Sequence, residues 1–142
     1  MVADIAYLQE QQQSISRMQA LFESQRAAFR KAPMPSADDR IRHLKALKQA
    51  ILKHQQTLIT AISADFGRRS ADETRLAEIM PSLEGIHYAC KHVKRWMKPS
   101  RRKVGLAFQP AKAEVVYQPV GVVGIIVPWN YPLFLAIGPL VT

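Results

Sequence analysis

Val120-Gly-Val-Val-Gly-Ile-Ile-Val-Pro-Trp-Asn-Tyr-Pro132 is the stretch on which the fold turns. Val122–Val127 is a continuous run of apolar, mostly branched residues, which predicts a strand buried on both faces, as in a parallel sheet. The run breaks into a Pro-Trp-Asn-Tyr-Pro turn. Pro132 fits the first turn of a following helix, where its missing N–H costs nothing, so the sequence predicts a helix over 132–142. Open α/β sheets bind ligands beyond the carboxyl ends of their strands. Asn130 therefore stands where chemistry takes place. A lone parallel strand cannot satisfy its own ladder hydrogen bonds, so this run requires neighbours.

Upstream, 113–118 (Ala-Glu-Val-Val-Tyr-Gln) alternates weakly and predicts an edge strand, preceded by a basic connector over 100–112. Before it, helical patterns dominate. Residues 4–31 place Leu8, Ile15, Met18, Leu21, Phe22 and Phe29 near helical spacing, and Pro33 and Pro35 end the pattern. Ser36 predicts an N-cap with Asp38 and Asp39 in the first turn. Ile41, Leu44, Leu47, Ile51, Leu52, Leu58, Ile59 and Ile62 form the stripe of that helix, and Gly67 is its expected stop. Ser70-Ala-Asp-Glu73 has the form of a capping box. It opens a helix with Leu76, Ile79, Met80, Leu83, Ile86, Cys90, Val93 and Met97 as its stripe, kinked at Pro81 and ended by Pro99.

Twenty basic against 11 acidic residues give a net charge of +9 over 142 residues. Much of that charge lies in Lys91, Lys94, Arg95, Lys98, Arg101, Arg102 and Lys103, whereas 115–142 carries none. A basic run with Trp96 as its sole aromatic and no nucleic-acid module reads as the solvated end of a helix, its cations facing the C-terminal dipole, and no nucleic acid is expected as a partner. The uncharged tail is long enough for a membrane span. However, Pro119, Pro128, Pro132 and Pro139 argue against one. No signal-peptide pattern opens the chain. A single cysteine, Cys90, excludes an intrachain disulfide and suits a reducing, cytoplasmic setting. On the apolar face of a helix it reads as an inert core thiol rather than a nucleophile. His87 and His92, five residues apart, do not share a helix face, and no metal site is expected.

Gln118-Pro-Val-Gly-Val-Val-Gly-Ile-Ile-Val-Pro-Trp-Asn-Tyr-Pro-Leu133 resembles the first dinucleotide-domain strand and catalytic turn of NAD(P)-dependent aldehyde dehydrogenases. Ala64-Asp-Phe-Gly67, Glu73-Thr-Arg-Leu-Ala-Glu-Ile79 and His92-Val-Lys-Arg-Trp-Met-Lys-Pro99 extend the resemblance. Their wording is nearest to the bacterial coniferyl aldehyde dehydrogenase branch. The implied fold class is α/β: N-terminal helices (1–112), an edge or oligomerisation strand (113–118) and the opening, over 119–142, of an incomplete Rossmann-like NAD-binding domain.

The resemblance implies that Asn130 donates its amide to the substrate oxygen. It implies that Ile126, Val127, Pro128 and Trp129 line the site of NAD or NADP, and that Tyr131 faces an aldehyde tunnel. It also implies a homodimer, and a catalytic cysteine and general-base glutamate beyond residue 142, so that these 142 residues alone would be inactive. From composition alone Asn130 reads first as a turn former, a reading that the full strand-plus-turn context reverses, and Trp129 and Tyr131 are equally packing groups with polar tips. Gly121 and Gly124 lack the third glycine of the usual dinucleotide fingerprint. A second class, a non-catalytic basic helical or membrane-associated interaction protein, remains as the alternative.

Overall fold

The structure, a computed structural model, describes the backbone of residues 2–142 and side chains from Tyr7 onward. The chain forms two compact units. The first joins Met1–Met34 to Gln118–Gly124. Its helix α1, Val2–Lys31, follows the predicted pattern, but Leu8, Met18 and Leu21 on the stripe are exposed. Phe29 is half-buried, and its ring lies 3.7 Å from where a Cβ would stand on Gly121, whose φ is +115°.

The second unit joins Pro35–Tyr117 to Ile125–Thr142. Helix α2, Ala37–Asp65, starts as the sequence predicts: Ser36 Oγ accepts the Asp39 N–H. Gly67, with φ +74°, takes the left-handed conformation just past its end. Helix α3, Ala71–Thr74, is capped by Ser70, which accepts from the Asp72 amide. The reciprocal half of the expected capping box does not form, because the Glu73 carboxylate pairs instead with Arg69.

Pro81 acts on the next turn, though not as a simple kink. Residues Arg75–Ile79 widen into a π turn, closed by the Met80 N–H on the Arg75 carbonyl, before α4 runs from Met80 to Trp96. Proline supplies no N–H to the preceding turn and crowds its carbonyls, and an extra residue in one turn accommodates both. The Ser82 hydroxyl then bonds the Glu78 carbonyl at 2.6 Å. The wider turn shifts the buried face. Ile79, Ile86 and Val93 are buried as expected, but Leu76 and Met80 are exposed, and Thr74, Glu78 and Ser82 take inward positions.

Helix α5, Pro132–Val141, packs on this surface. Ile51 and Ile59 of α2, Ile79 of the π turn, Ile86 of α4, and Ile137 and Val141 of α5 form one core. Burying each such side chain contributes about 2 kcal/mol.

Two strand expectations need correction. The strand expected over 113–118 is confined to β2, Ala113–Val115, because its partner β1, Ser100–Arg102, is equally short. The two pair antiparallel with Arg101 opposite Glu114. β1 lies within the stretch expected to be a connector. The buried strand Val122–Val127 does not form: Val123 is 66% and Ile126 98% exposed. A buried strand needs neighbours to complete its ladder, and among the described residues none lies beside it.

Candidate active site

Trp129 and Asn130 form the turn that leads into α5, and both are exposed. Among the described residues the Asn130 side chain has no hydrogen-bond partner, so its amide is free to donate. Tyr131 is half-buried at the N-cap position but provides no side-chain cap for α5. An α-helix leaves its first N–H groups without intrahelical partners, and here they are met from another element. Glu78 Oε2 accepts the Leu133 N–H at 2.7 Å and the Phe134 N–H at 3.2 Å. A carboxylate at a helix N-terminus also complements its dipole.

Glu78 is fully buried, so its charge requires a partner. Arg69 supplies it, with Nη1 3.1 Å from Oε1. The Arg69 side chain is itself 6% exposed and bonds Glu73 at 3.0 Å. Burial alone would lower its pKa. The hydrogen bond and charge of Glu73, with the charge of Glu78, outweigh that and raise it, so the guanidinium stays charged. Its Cζ lies 4.4 Å from the Phe66 ring centroid and 4.5 Å from that of Tyr131, a cation–π arrangement on two rings.

The expected site residues are consecutive, 126–131, and lead from an unpaired segment through the turn at Trp129 and Asn130. Ile126, Pro128, Trp129 and Asn130 are exposed, while Val127 and Tyr131 are half-buried. Glu78 and Arg69 were not predicted. The available signal was an acid inside the apolar run of 76–80, three residues before a proline. Cys90 is half-buried and packs against the core. No helix among the described residues is long and apolar enough to cross a membrane.

The family model described as the aldehyde dehydrogenase family matches residues 4–142. A probable coniferyl aldehyde dehydrogenase of Pseudomonas aeruginosa is 69% identical over 140 residues, covering 99% of this chain and 29% of that protein. A coniferyl aldehyde dehydrogenase of a Pseudomonas species is 43% identical over 90 residues, covering 63% of this chain and 18% of that protein. Among solved structures, the substrate-bound state of Staphylococcus aureus AldH superposes with a TM-score of 0.81 at 29% identity, covering 87% of this chain and 27% of that one. The chain thus spans less than a third of the length of these relatives.

Proposed function

The chain belongs to the aldehyde dehydrogenase family, and from that premise we propose that it supplies the substrate-oxygen donor and the opening of the cofactor site to an enzyme that oxidises an aldehyde to its acid with NAD or NADP. The observation that carries this reading is the free, exposed amide of Asn130 on a turn anchored at both Tyr131 and α5.

In this reaction a thiolate adds to the aldehyde carbon, and negative charge gathers on the carbonyl oxygen as the thiohemiacetal forms. The family pattern puts that cysteine, and the general-base glutamate that activates water, beyond residue 142. Asn130 donates its side-chain N–H to the oxygen. A donor already in place when charge develops lowers the barrier by about 3 kcal/mol.

A nicotinamide cofactor held here would supply the acceptor for the hydride that leaves the substrate carbon. Ile126, Val127, Pro128 and Trp129 fit one wall of its site: they offer accessible apolar surface on a segment free of ladder pairing. Beyond the family, the division into a helical segment (1–112), an oligomerisation strand (113–118) and the start of the NAD-binding domain (119–142) belongs to the same proposal. β2 is exposed along its length and pairs with a single strand, which leaves an edge to add to in a homodimer. The lone cysteine fits a cytoplasmic setting.

The names of the relatives and the half-buried ring of Tyr131 support an aromatic, coniferyl-type aldehyde, with long-chain aldehydes second. The test is reduction of NAD or NADP by the full-length enzyme carrying this segment, supplied with coniferaldehyde and with a long-chain aldehyde. Formation of the matching acid is expected. Failure to turn over either class overturns the proposal.

A further inference from the structure

We propose that Glu78 and Arg69 are positioning residues whose task is to keep the Asn130 amide free and aimed; this rests on the role given to Asn130 above. The turn before α5 contains a residue well suited to capping that helix locally, since asparagine side chains readily accept from backbone N–H groups two or three positions ahead. Asn130 does not do so. The one amide within that reach is the Leu133 N–H, since position 132 is a proline, and it is occupied by Glu78 Oε2 from 55 residues away in sequence. A remote carboxylate therefore does the capping, and Asn130 is released for another hydrogen bond.

The turn is held at two points, one on each side of Pro132. Past it, Glu78 fixes the Leu133 and Phe134 N–H groups. Before it, the Arg69 guanidinium lies on the Tyr131 ring, adjacent to Asn130. The same guanidinium grips Glu78 Oε1, so the two holds are coupled through one ion pair. Two buried charges are a costly way to stabilise a fold, and well-packed apolar residues often serve stability as well or better. What an ion pair with directed hydrogen bonds adds is fixed geometry. A donor that must meet a developing oxyanion depends on that geometry, because misplacement by about 1 Å can slow a reaction by up to about 100-fold.

The test is a double-mutant cycle in the full-length enzyme that carries this segment, with protein folding checked by circular dichroism and kcat and cofactor KM measured separately. Asn130→Ala should lower kcat about 100-fold or more. Glu78→Ala should lower kcat about tenfold or more and leave the cofactor KM within about twofold. Glu78→Gln, which keeps one oxygen for the α5 amides, should recover part of that loss. In the Asn130→Ala background, Glu78→Ala should cost nothing further in kcat, because residues acting as one unit are not additive. Losses that multiply would overturn the inference and leave the role of Asn130 standing. A wild-type kcat for Asn130→Ala would overturn the role of Asn130 itself, and this inference with it. Arg69→Lys, which keeps a cation beside Glu78 but loses the guanidinium over the Tyr131 ring, carries the same cycle if Glu78→Ala does not fold.

Discussion

Glu78 and Leu133 are joined by a 2.7 Å hydrogen bond from backbone amide to buried carboxylate, across 55 residues of sequence. Through it, the π turn ahead of α4 sets where α5 begins, and so where the turn that carries Asn130 ends.

Removing the arginine from this network should cost stability. Arg69→Met leaves the fully buried Glu78 carboxylate with its α5 amides but without a countercharge. Breaking one side of a buried pair typically costs about 3–5 kcal/mol. Urea unfolding of the full-length protein checks this, and an unchanged midpoint would show that the pair carries no such weight.

The core makes a second stability prediction. Ile86 has no exposed surface. Ile86→Ala should destabilise by about 2–5 kcal/mol and Ile86→Val by about 1 kcal/mol. Comparable midpoints for the two variants in the same unfolding experiment would contradict the packing described.

Acid sensitivity at the start of α2 follows from Asp39. The Ser36 hydroxyl bonds its carboxylate at 2.7 Å and is the chief cause of a lowered pKa. Burial opposes that, and the charge of Arg42 assists. A group with a lowered folded pKa contributes stability above its unfolded pKa and loses it as pH falls through the folded value. The contribution should be complete above pH of about 4, the ordinary aspartate value, and fade below it. Asp39→Asn should flatten that part of the acid limb. NMR titration of the Asp39 carboxyl reads the same shift, and a midpoint at or above the ordinary value would contradict it.

The apolar segment 120–127 makes a prediction about the 142-residue chain by itself. Val120 is 91% and Ile126 98% exposed, and an exposed apolar run without neighbours promotes association. Dynamic light scattering should show aggregates at micromolar concentration, reduced by Ile126→Lys. A monodisperse wild-type sample would contradict this.

These features differ in how far local chemistry declares them. Ser36, Gly67 and Pro132 act within a few residues of themselves, and each stands where the sequence places it. The stripe of α4 was legible from Leu83 onward, because a regular 3.6-residue period governs it. It failed at Leu76 and Met80, since no periodic template anticipates the extra residue of a π turn. β1 escaped notice because Ser-Arg-Arg has weak strand character, and its pairing is decided by register with Ala113–Val115. The turn with Asn130 was legible as a motif. The Arg69–Glu78 support was not, because it reaches the turn through Tyr131, Leu133 and Phe134, more than 50 residues away in sequence.

The widened turn at Arg75–Ile79 also sets where this helix can vary in length. A π turn is an α turn that holds one extra residue, so loss of a single residue there would let the helix close into regular α geometry with both flanks near their present orientation. Loss of a residue from the regular turns of α4 would instead rotate what precedes it by about 100°. Glu78 would then swing away from the α5 amides it holds. Among relatives, a one-residue gap in this helix should therefore fall within 75–79 and be excluded from 80–86, which makes the first regular turns of α4 intolerant of any change in length.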